Sequence, residues 1–358
     1  MVTRAQVQHS NAALTAQTAP RTAVFFGGTS GIGKLTLIEL VSLGHPIRVY
    51  IAGRKATEPA MRPVLEDLRQ KNPRAELIWV EAEISLLAET RRVCEVVKEK
   101  ETSLDFLCLT AGYAPFGGRN DTSEGIDVCH SLEYYSRMLA TLHLLPLLRA
   151  SASTSPSPGP TPRILTVLAG SMLSTRIDAT DLNLTRSSPS SGGGSGGGSR
   201  LFGFKTQTHM ATMNTLFLDK LAADPVNAGV GFVHNWPGAV DTGNMARYHT
   251  PTWWSPFPLT NLLKPLFLVM GFEEREAGER HVYLGTSERF GGMKEGDGKS
   301  GDGVGGCKNT RGEEGRNGLF LVNHKGEVSY SESALEALRG DVQGKVWELT
   351  MEILGPFL

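Results

Sequence analysis

The sequence predicts an α/β fold in which one doubly wound parallel sheet carries helices on both faces. Two observations predict it. From Thr22 onward, apolar stretches of strand length alternate with segments whose apolar residues recur at helical spacing. The first apolar stretch also runs into a glycine-rich turn, "GGTSGIG", that opens a helix. With 358 residues, 40% hydrophobic and 20% charged, the chain is long enough to bury one such core.

Composition excludes several classes of function. The formal net charge is -1 and no basic block stands out, so the sequence favours small-molecule binding over nucleic-acid binding. The 4 cysteines lack CxxC spacing and are predicted to be reduced thiols, and the 9 histidines are scattered, so no metal site is predicted. Residues 1–20 lack the apolar segment of a signal peptide or anchor and are predicted to be a flexible tail. Together these observations favour a cytoplasmic protein.

The first strand, turn and helix predict a dinucleotide site. A buried strand from Ala23 to Phe26 leads into Gly27, Gly31 and Gly33, and apolar residues at helical spacing follow. Glycines let the backbone approach a pyrophosphate, and the helix N-terminus presents unpaired N–H groups with the positive end of the helix dipole. The alternative is a glycine turn that only ends the strand, but the strand-to-helix context favours the nucleotide interpretation.

The second strand, Arg48 to Ala52, indicates which dinucleotide is bound. It ends at Gly53, Arg54 and Lys55, where an acidic residue would bind ribose hydroxyls and a cation would accommodate a 2′-phosphate. Arg54 and Lys55 therefore favour NADP(H) over NAD(H). The alternative is that both are solvated turn residues. "AELIWVEAEISLL" and "SLDFLCLTAG" supply the third and fourth strands.

These motifs, in this order, resemble the short-chain dehydrogenase/reductase family, which has a Rossmann-type fold. The matching segments are "GGTSGIG", "GR" after the second strand, "EIS" after the third, "TAG" after the fourth and "NWPGAVDT" late in the chain. The segment "TSEGIDVCHSLEYYSRMLATLHLLPLLRA" further resembles a fungal, retinol-dehydrogenase-like branch, many members of which serve secondary-metabolite pathways. The resemblance runs from about Thr22 to about Thr242, and residues 21–358 are predicted to form one domain.

The resemblance implies a set of cofactor contacts. Arg54 and Lys55 would meet the 2′-phosphate, and Glu83 stands where the family usually has an aspartate near the adenine. The pyrophosphate would be held by Gly27, Ser30, Gly31, Ile32 and Gly33. Thr110, Ala111 and Gly112 stand in place of an Asn-Ala-Gly, with their backbone against the cofactor. The nicotinamide carboxamide would be lined by Pro237, Gly238, Val240 and Thr242.

The resemblance also shows that the family's catalytic residues are missing. A family member donates a proton from a tyrosine, and a lysine four residues later lowers the pKa of that tyrosine and holds the nicotinamide ribose. The segment "LFGFKTQTHMATMNTLFLDKLAAD" has Gly203 and Gln207 at these two positions. The serine position falls on Ala169. The asparagine position falls on Glu133, which could pair with Arg137 one turn on.

Three explanations compete at this point. In the first, hydride transfer continues with a replacement acid, for which the weak candidates are Lys205, His209, Glu133, Tyr135 and Ser171. In the second, the chain performs a dehydration, isomerisation or cyclisation without redox chemistry. In the third, it is a dinucleotide-binding partner protein without turnover. Fold alone does not choose among them. The leading hypothesis is an NADP(H)-linked oxidoreductase that acts on a hydrophobic small molecule of fungal secondary metabolism.

The remaining segments concern substrate access and surface. An apolar, aromatic stretch within residues 243–275 is predicted to be a substrate lid, with packing of a lid helix or shallow contact with a membrane surface as alternatives. It is too broken by Lys264 and Pro265 to span a bilayer. Low-complexity stretches at 185–200 and 291–318 are predicted to be flexible loops, and a closing helix is predicted with weak points at Gly340 and Gly344. The resemblance leaves a homo-oligomer open.

Overall fold

The structure, a computed structural model, describes residues 1–112, 119–154, 159–185, 198–238, 273–291 and 305–358, with the side chains of 198–205 excluded. It contains a parallel sheet of seven strands in the order β3-β2-β1-β4-β5-β6-β7. The strands are β1 (Thr22–Phe26), β2 (Ile47–Gly53), β3 (Ala75–Glu81), β4 (Phe106–Leu109), β5 (Arg163–Val167), β6 (Gly231–Asn235) and β7 (Leu319–Val322). The predicted fold class is therefore confirmed.

Helices cover both faces of the sheet. They are α1 (Arg4–Ala12), α2 (Gly31–Ser42), α3 (Glu58–Lys71), α4 (Leu87–Lys100), α5 (Val128–His130), α6 (Ser136–Thr154), α7 (Gly198–Ala222), α8 (Glu274–Thr286), α9 (Glu332–Asp341) and α10 (Gln343–Leu354). One buried cluster joins α4, α6, α7, α9 and α10 to one face, and the other joins α1, α2, α3 and α8 to the opposite face. Because both faces are covered, strands such as "TAVFF" are buried along their whole length.

The strand order reverses between β1 and β4, since β1 pairs with β2 on one side and with β4 on the other. Crevices at such a switch point, beyond the carboxyl ends of the strands, are where doubly wound sheets bind ligands. A π-helical segment, Ser131–Tyr135, joins α5 to α6 close to this edge. Single π-turns of this kind are frequent at functional sites, and this one carries Glu133.

The N-terminal segment is not a flexible tail, so that prediction is wrong for α1. Thr3 and Gln6 form a capping box at its start, and Val7 is fully buried. The Asn11 amide donates to the Glu279 carbonyl of α8 at 2.9 Å, and Arg4 forms an ion pair with the Glu279 carboxylate at 2.8 Å. The helix is ordered because a partner far along the chain satisfies its polar groups, which local sequence does not reveal.

The predicted loops and lid are only partly covered by the described residues. Most of the two low-complexity stretches and residues 243–272 of the lid lie outside them, and the last part of the predicted lid begins α8. Residues 305–318 are held to the core rather than free: the Thr310 hydroxyl donates to Asp219 of α7 at 2.8 Å. Arg339 of α9 also binds Asp219, at 2.7 Å. The predicted closing helix is divided into α9 and α10 at Val342.

Candidate functional site

The glycine turn between β1 and α2 is fixed against the end of β4. Gly27 has φ +106, and a Cβ there would lie 2.4 Å from the backbone nitrogen of Ala111. A Cβ on Gly33 would lie 2.3 Å from the hydroxyl oxygen of Thr110 and 2.4 Å from the Gly27 carbonyl oxygen. The Thr110 hydroxyl donates to that same carbonyl at 3.2 Å. Thr110 therefore ties the turn to β4 from the position where the family has asparagine.

The turn also presents the N-terminus of α2 to the switch point. Ser30 lies in an extended conformation immediately before the helix, and Gly31 adopts φ +56. The first N–H groups of a helix have no partner within it, so they can bind an anion approached through a turn without side chains. The geometry of these residues fits a dinucleotide pyrophosphate, and the predicted contacts stay a prediction.

The end of β2 offers two cations. Arg54 and Lys55 are both exposed, and neither side chain has a hydrogen bond or ion pair to any other part of the chain that the structure describes. A Cβ on Gly53 would lie 2.1 Å from the Trp79 ring and 2.8 Å from the Thr29 methyl, so the indole and the glycine turn converge there. The sequence analysis did not single out Trp79 as a site residue. Trp79 lies in β3, and its register partner in β2 is Ile51.

Glu83, the residue expected near the adenine, is exposed just beyond β3. Its carboxylate accepts a hydrogen bond from the Ser85 hydroxyl at 2.9 Å. The backbone nitrogen of Ala82 donates to the Gly53 carbonyl at 2.9 Å, which keeps the ends of β2 and β3 together. Glu83 and the two cations therefore lie beyond the carboxyl ends of neighbouring strands, at the same edge of the sheet as the glycine turn.

The catalytic side of the site is built on a buried carboxylate. Glu133 is 1% exposed. The Gln207 amide nitrogen donates to both of its oxygens, at 2.8 Å each. A Cβ on Gly112 would lie 3.0 Å from a Glu133 oxygen, so the carboxylate packs closely on the end of β4. The family's asparagine and lysine positions thus meet in space, but they carry glutamate and glutamine.

The surroundings of Glu133 fix its position. The Asn214 amide donates to the Glu133 carbonyl at 2.8 Å. The Cys129 thiol is buried, and burial, the nearby carboxylates and a hydrogen bond to Glu133 raise the pKa of the thiol well above its ordinary value. The Asn214 amide and the Cys129 thiol therefore hold Glu133 in place through its backbone and its side chain.

Arg137 was expected to pair with Glu133, but its guanidinium forms hydrogen bonds to other groups. Its guanidinium donates to the Thr166 hydroxyl at 2.8 Å, to the Val167 carbonyl at 2.9 Å and to the Ala111 carbonyl. Burial lowers the pKa of Arg137 to about 10, so it stays cationic at neutral pH, and the charge of Glu133 acts in the opposite direction on that pKa. Arg137 therefore ties the carboxyl ends of β4 and β5 together beneath the site.

Two of the other candidate acids, Tyr135 and His209, have hydrogen-bond partners in the segment before α7. The Tyr135 hydroxyl donates to the Asn183 side chain, and burial raises the pKa of Tyr135. The His209 ring contacts the Leu182 carbonyl at 2.9 Å and is 2% exposed. Both therefore face the segment before α7. Ser171 lies in the turn after β5, two residues beyond the buried Ala169. The side chain of Lys205 lies outside the described residues.

The nicotinamide side is described only in part. Pro237 and Gly238 follow β6, and a Cβ on Gly238, which has φ +73, would lie 2.9 Å from the His324 side chain. Val240, Thr242 and most of the predicted lid lie outside the described residues. Among the described residues there is no group of side chains that could hold a metal ion and no helix apolar and long enough to cross a membrane.

Comparison with known proteins identifies relatives along the whole chain, although no protein-family model matches. Oxidoreductase AN1596 of Emericella nidulans is 34% identical over 360 residues, which cover 99% of this chain and 98% of the relative. The NmrA-like family domain-containing oxidoreductase notO of an Aspergillus species is 30% identical over 98% of this chain and 94% of its own. Short-chain dehydrogenase/reductase SAT2 of Stachybotrys chartarum is 26% identical over 73% of this chain and 71% of its own.

Solved structures share the fold at lower identity. The RhlG protein of Pseudomonas aeruginosa, in an NADP active-site complex, aligns with a TM-score of 0.51 and 20% identity over 76% of this chain and 91% of its own. The NADPH-dependent 3-quinuclidinone reductase of Rhodotorula rubra aligns with a TM-score of 0.50 and 16% identity over 76% of this chain and 86% of its own. At these identities the likeness concerns the fold alone.

Proposed function

The chain belongs to the short-chain dehydrogenase/reductase family, and from that premise we propose that it is an NADP(H)-dependent oxidoreductase acting on a hydrophobic small molecule of fungal secondary metabolism. Its relatives at full chain length are named oxidoreductases and come from fungi. The observation that carries the mechanistic part of the proposal is the buried Glu133 carboxylate bound by Gln207.

The fit of the glycine turn and the two unpaired cations supports the cofactor. Gly27, Ser30 and Gly31 would hold the pyrophosphate, while Arg54 and Lys55 would hold the 2′-phosphate. When bound, the nicotinamide would supply or take up a hydride at C4. Ala111 and Gly112, whose backbone lies beside the turn, would border it together with Pro237, Gly238, Val240 and Thr242.

Gln207 would take the place of the family lysine, but it would offer the ribose a hydrogen-bond acceptor instead of a donor. Its nitrogen is committed to the two Glu133 oxygens, which fixes the orientation of the amide. The amide oxygen has no hydrogen bond to any residue of the described ranges, and it can accept from a ribose hydroxyl. The ribose would therefore be held by an acceptor rather than by an ammonium group.

Glu133 favours a cationic reacting group. A carboxylate in a buried site interacts with a nearby positive charge more strongly than it would in water. Its two oxygens accept from Gln207, so it acts as a fixed negative charge and not as the proton donor that a ketone requires. An iminium carbon accepts hydride without protonation of its nitrogen. An iminium is therefore the preferred substrate class, ahead of a conjugated alkene, and a simple ketone is disfavoured.

The test compares a permanent cation with its neutral counterpart. N-methyl dihydroisoquinolinium and tetralone have similar shape, and each is incubated with NADPH deuterated at C4 while product deuterium is followed by mass spectrometry. The proposal predicts deuterium transfer to the cation and little to tetralone. Efficient reduction of tetralone by the wild type would contradict the mechanism, and product formation without deuterium would support a non-redox reaction instead.

A matched pair of variants assigns the selectivity to Glu133. Glu133→Gln removes the charge and keeps a similar shape, and kcat/KM for the cation is expected to fall about tenfold or more. Glu348→Gln removes an exposed carboxylate on α10 and should leave kcat/KM unchanged. NADPH titration and thermal unfolding verify that both variants are folded and bind the cofactor. Equal losses in the two variants would refute the role of Glu133.

A further inference from the structure

A second cavity lies apart from the dinucleotide site. It has a volume of about 480 Å³ and is enclosed by residues of the 119–130 segment, Asn183 and the C-terminal residues 352–357. Asn183 is one of the lining residues, and its side-chain oxygen accepts a hydrogen bond from the buried Tyr135 hydroxyl. None of its lining residues belongs to the glycine turn or to a strand of the sheet. We propose that this cavity binds a small hydrophobic amine in its ammonium form.

The first argument is an unmade hydrogen bond at His130. Asp127 accepts from the backbone nitrogens of Cys129 at 3.0 Å and Asn120 at 2.9 Å, which favours its ionised form. An ionised carboxylate can only accept, so the His130 ring nitrogen Nδ1, at 3.0 Å from Asp127, must donate to it. In the neutral ring the other nitrogen, Nε2, is then an acceptor.

That acceptor has no partner. The His130 Nε2 atom is buried and makes no hydrogen bond to any described residue, and the whole residue is 4% exposed. A buried polar atom without a partner is unfavourable, so a ligand that donates a hydrogen bond to Nε2 after a small ring rotation would remove that cost. An ammonium group donates, whereas a carboxylate cannot.

The second argument is the charge around the cavity. Three carboxylates line it, those of Glu124, Asp127 and Glu352, against the single guanidinium of Arg119. Arg119 and Glu124 are both already engaged: the Arg119 Nε lies 2.8 Å from Asp121, and the Glu124 oxygens accept from the backbone nitrogens of Leu87 and Ala88 at 2.6 and 2.9 Å. The balance is therefore negative, and Glu352, which is exposed at the rim, can form an ion pair with an entering cation.

The third argument is the apolar wall opposite these charges. Ile353 and Phe357 of the C-terminal segment contribute to it. That segment is fixed, because the His143 ring binds the Phe357 carbonyl at 2.8 Å. A cavity with an apolar wall, one orienting acceptor and a negative rim fits an aryl-alkyl ammonium compound, and its volume is within the usual range for small-molecule sites.

Three probes of similar size and different charge test the proposal. Phenethylamine, phenethyl alcohol and phenylpropionate are titrated into the full-length protein without cofactor, and binding is followed by NMR chemical shifts. The amine is expected to bind at millimolar concentration or better. The alcohol should bind more weakly, and phenylpropionate at least about tenfold more weakly. Equal binding of the amine and phenylpropionate, or no binding of the amine, would overturn the proposal.

Two surface variants locate the site without disturbing the fold. Glu352→Gln should weaken amine binding about fivefold, because it removes the rim carboxylate from a partly solvated pair. Glu348→Gln, one turn away on α10 and outside the cavity, should leave it unchanged. An equal effect of the two variants would place the amine elsewhere. His130→Phe should abolish binding, and its thermal unfolding verifies that the fold is retained.

This inference is independent of the proposed redox function. Saturation with NADPH should leave amine affinity unchanged, because the cavity shares no residue with the glycine turn or with the Glu133 and Gln207 pair. Competition between phenethylamine and NADPH would show instead that the amine occupies the dinucleotide site, and it would overturn the assignment.

Discussion

The two halves of the site have diverged to different degrees. On the cofactor side, Gly27 and Gly33 pack on Thr110 so closely that no side chain could be added to either. On the catalytic side, the positions of the family asparagine and lysine still meet, but Glu133 and Gln207 occupy them. The packing is tighter in the cofactor half, where an added Cβ would lie 2.3 to 2.4 Å from its neighbours at Gly27 and Gly33, against 3.0 Å at Gly112.

On the proposed assignment, the scaffold would retain the geometry of the site while exchanging its protonation chemistry. Backbone contacts of the glycine turn tolerate almost no substitution, because an added Cβ would overlap backbone or buried atoms. A buried pair of side chains can be replaced by another pair if every polar group finds a partner. The two Glu133 oxygens and the Gln207 amide nitrogen satisfy that condition for each other.

The largest expected effect comes from the cofactor half. Gly33→Ala places a methyl group 2.3 Å from the Thr110 oxygen and 2.4 Å from the Gly27 carbonyl oxygen, and neither is the end of a flexible chain. We expect dinucleotide binding to weaken on the order of a hundredfold, as measured by isothermal titration.

A control variant adds the same methyl group where space is open. No atom lies within 4 Å of a Cβ on Gly340 in α9. Gly340→Ala should therefore keep cofactor affinity and raise the free energy of unfolding by about 0.5 to 1 kcal/mol through helix propensity. Unchanged NADPH affinity in Gly33→Ala would break the comparison, since the turn would then not be the binding element.

The next effect concerns His234, a buried histidine in β6. His234 lies 3.0 Å from the Thr215 hydroxyl, and burial, together with the charge of Arg137, lowers the pKa of His234 to about 3. The unfolded chain binds a proton at this residue near pH 6.5 while the folded protein does not. Its contribution is therefore complete above that pH and is lost as pH falls towards about 3.

Urea unfolding at two pH values measures this effect. Between about pH 7.5 and pH 5, this residue should reduce the free energy of unfolding by about 2 kcal/mol, and His234→Gln should lose that much less than wild type. His9→Gln, an exposed position on α1, serves as the control and should follow wild type. Identical pH slopes for all three proteins would mean that His234 is accessible to protons in the folded state.

A smaller effect is expected on the affinity for NADPH relative to the affinity for NADH. Arg54→Ala removes an exposed cation at the end of β2, and NADPH affinity should fall about tenfold because one charge-assisted phosphate contact is lost. NADH affinity should stay within about twofold of wild type, since NADH lacks the 2′-phosphate. Arg62→Ala, an exposed arginine on α3 paired with Glu58, is the matched control. Parallel losses for NADPH and NADH would refute the assignment of Arg54.

Local sequence was sufficient for the sheet and the glycine turn, whereas the closing segment, predicted as one helix with weak points at Gly340 and Gly344, is divided at Val342. Apolar periodicity and glycine placement act over a few residues, so they can be recognised without tertiary contacts. It was insufficient for α1, whose ordering depends on Glu279 at a separation of 275 residues. It also missed the Glu133 and Gln207 pair, because 74 residues separate the two side chains and only helix packing brings them together.

The most direct measurement is the substrate preference of a variant into which the tyrosine and lysine of the family are introduced together. The variant carries Gly203→Tyr, Gln207→Lys and Glu133→Asn, and its kcat/KM for tetralone and for N-methyl dihydroisoquinolinium is compared with wild type. If Gly203 and Gln207 stand at the positions of the proton-donating pair and Glu133 supplies a fixed negative charge instead, the variant should gain tetralone reduction and lose preference for the cation. Reduction of tetralone by wild type that is equal to or better than that by a folded, NADPH-binding variant would contradict the account.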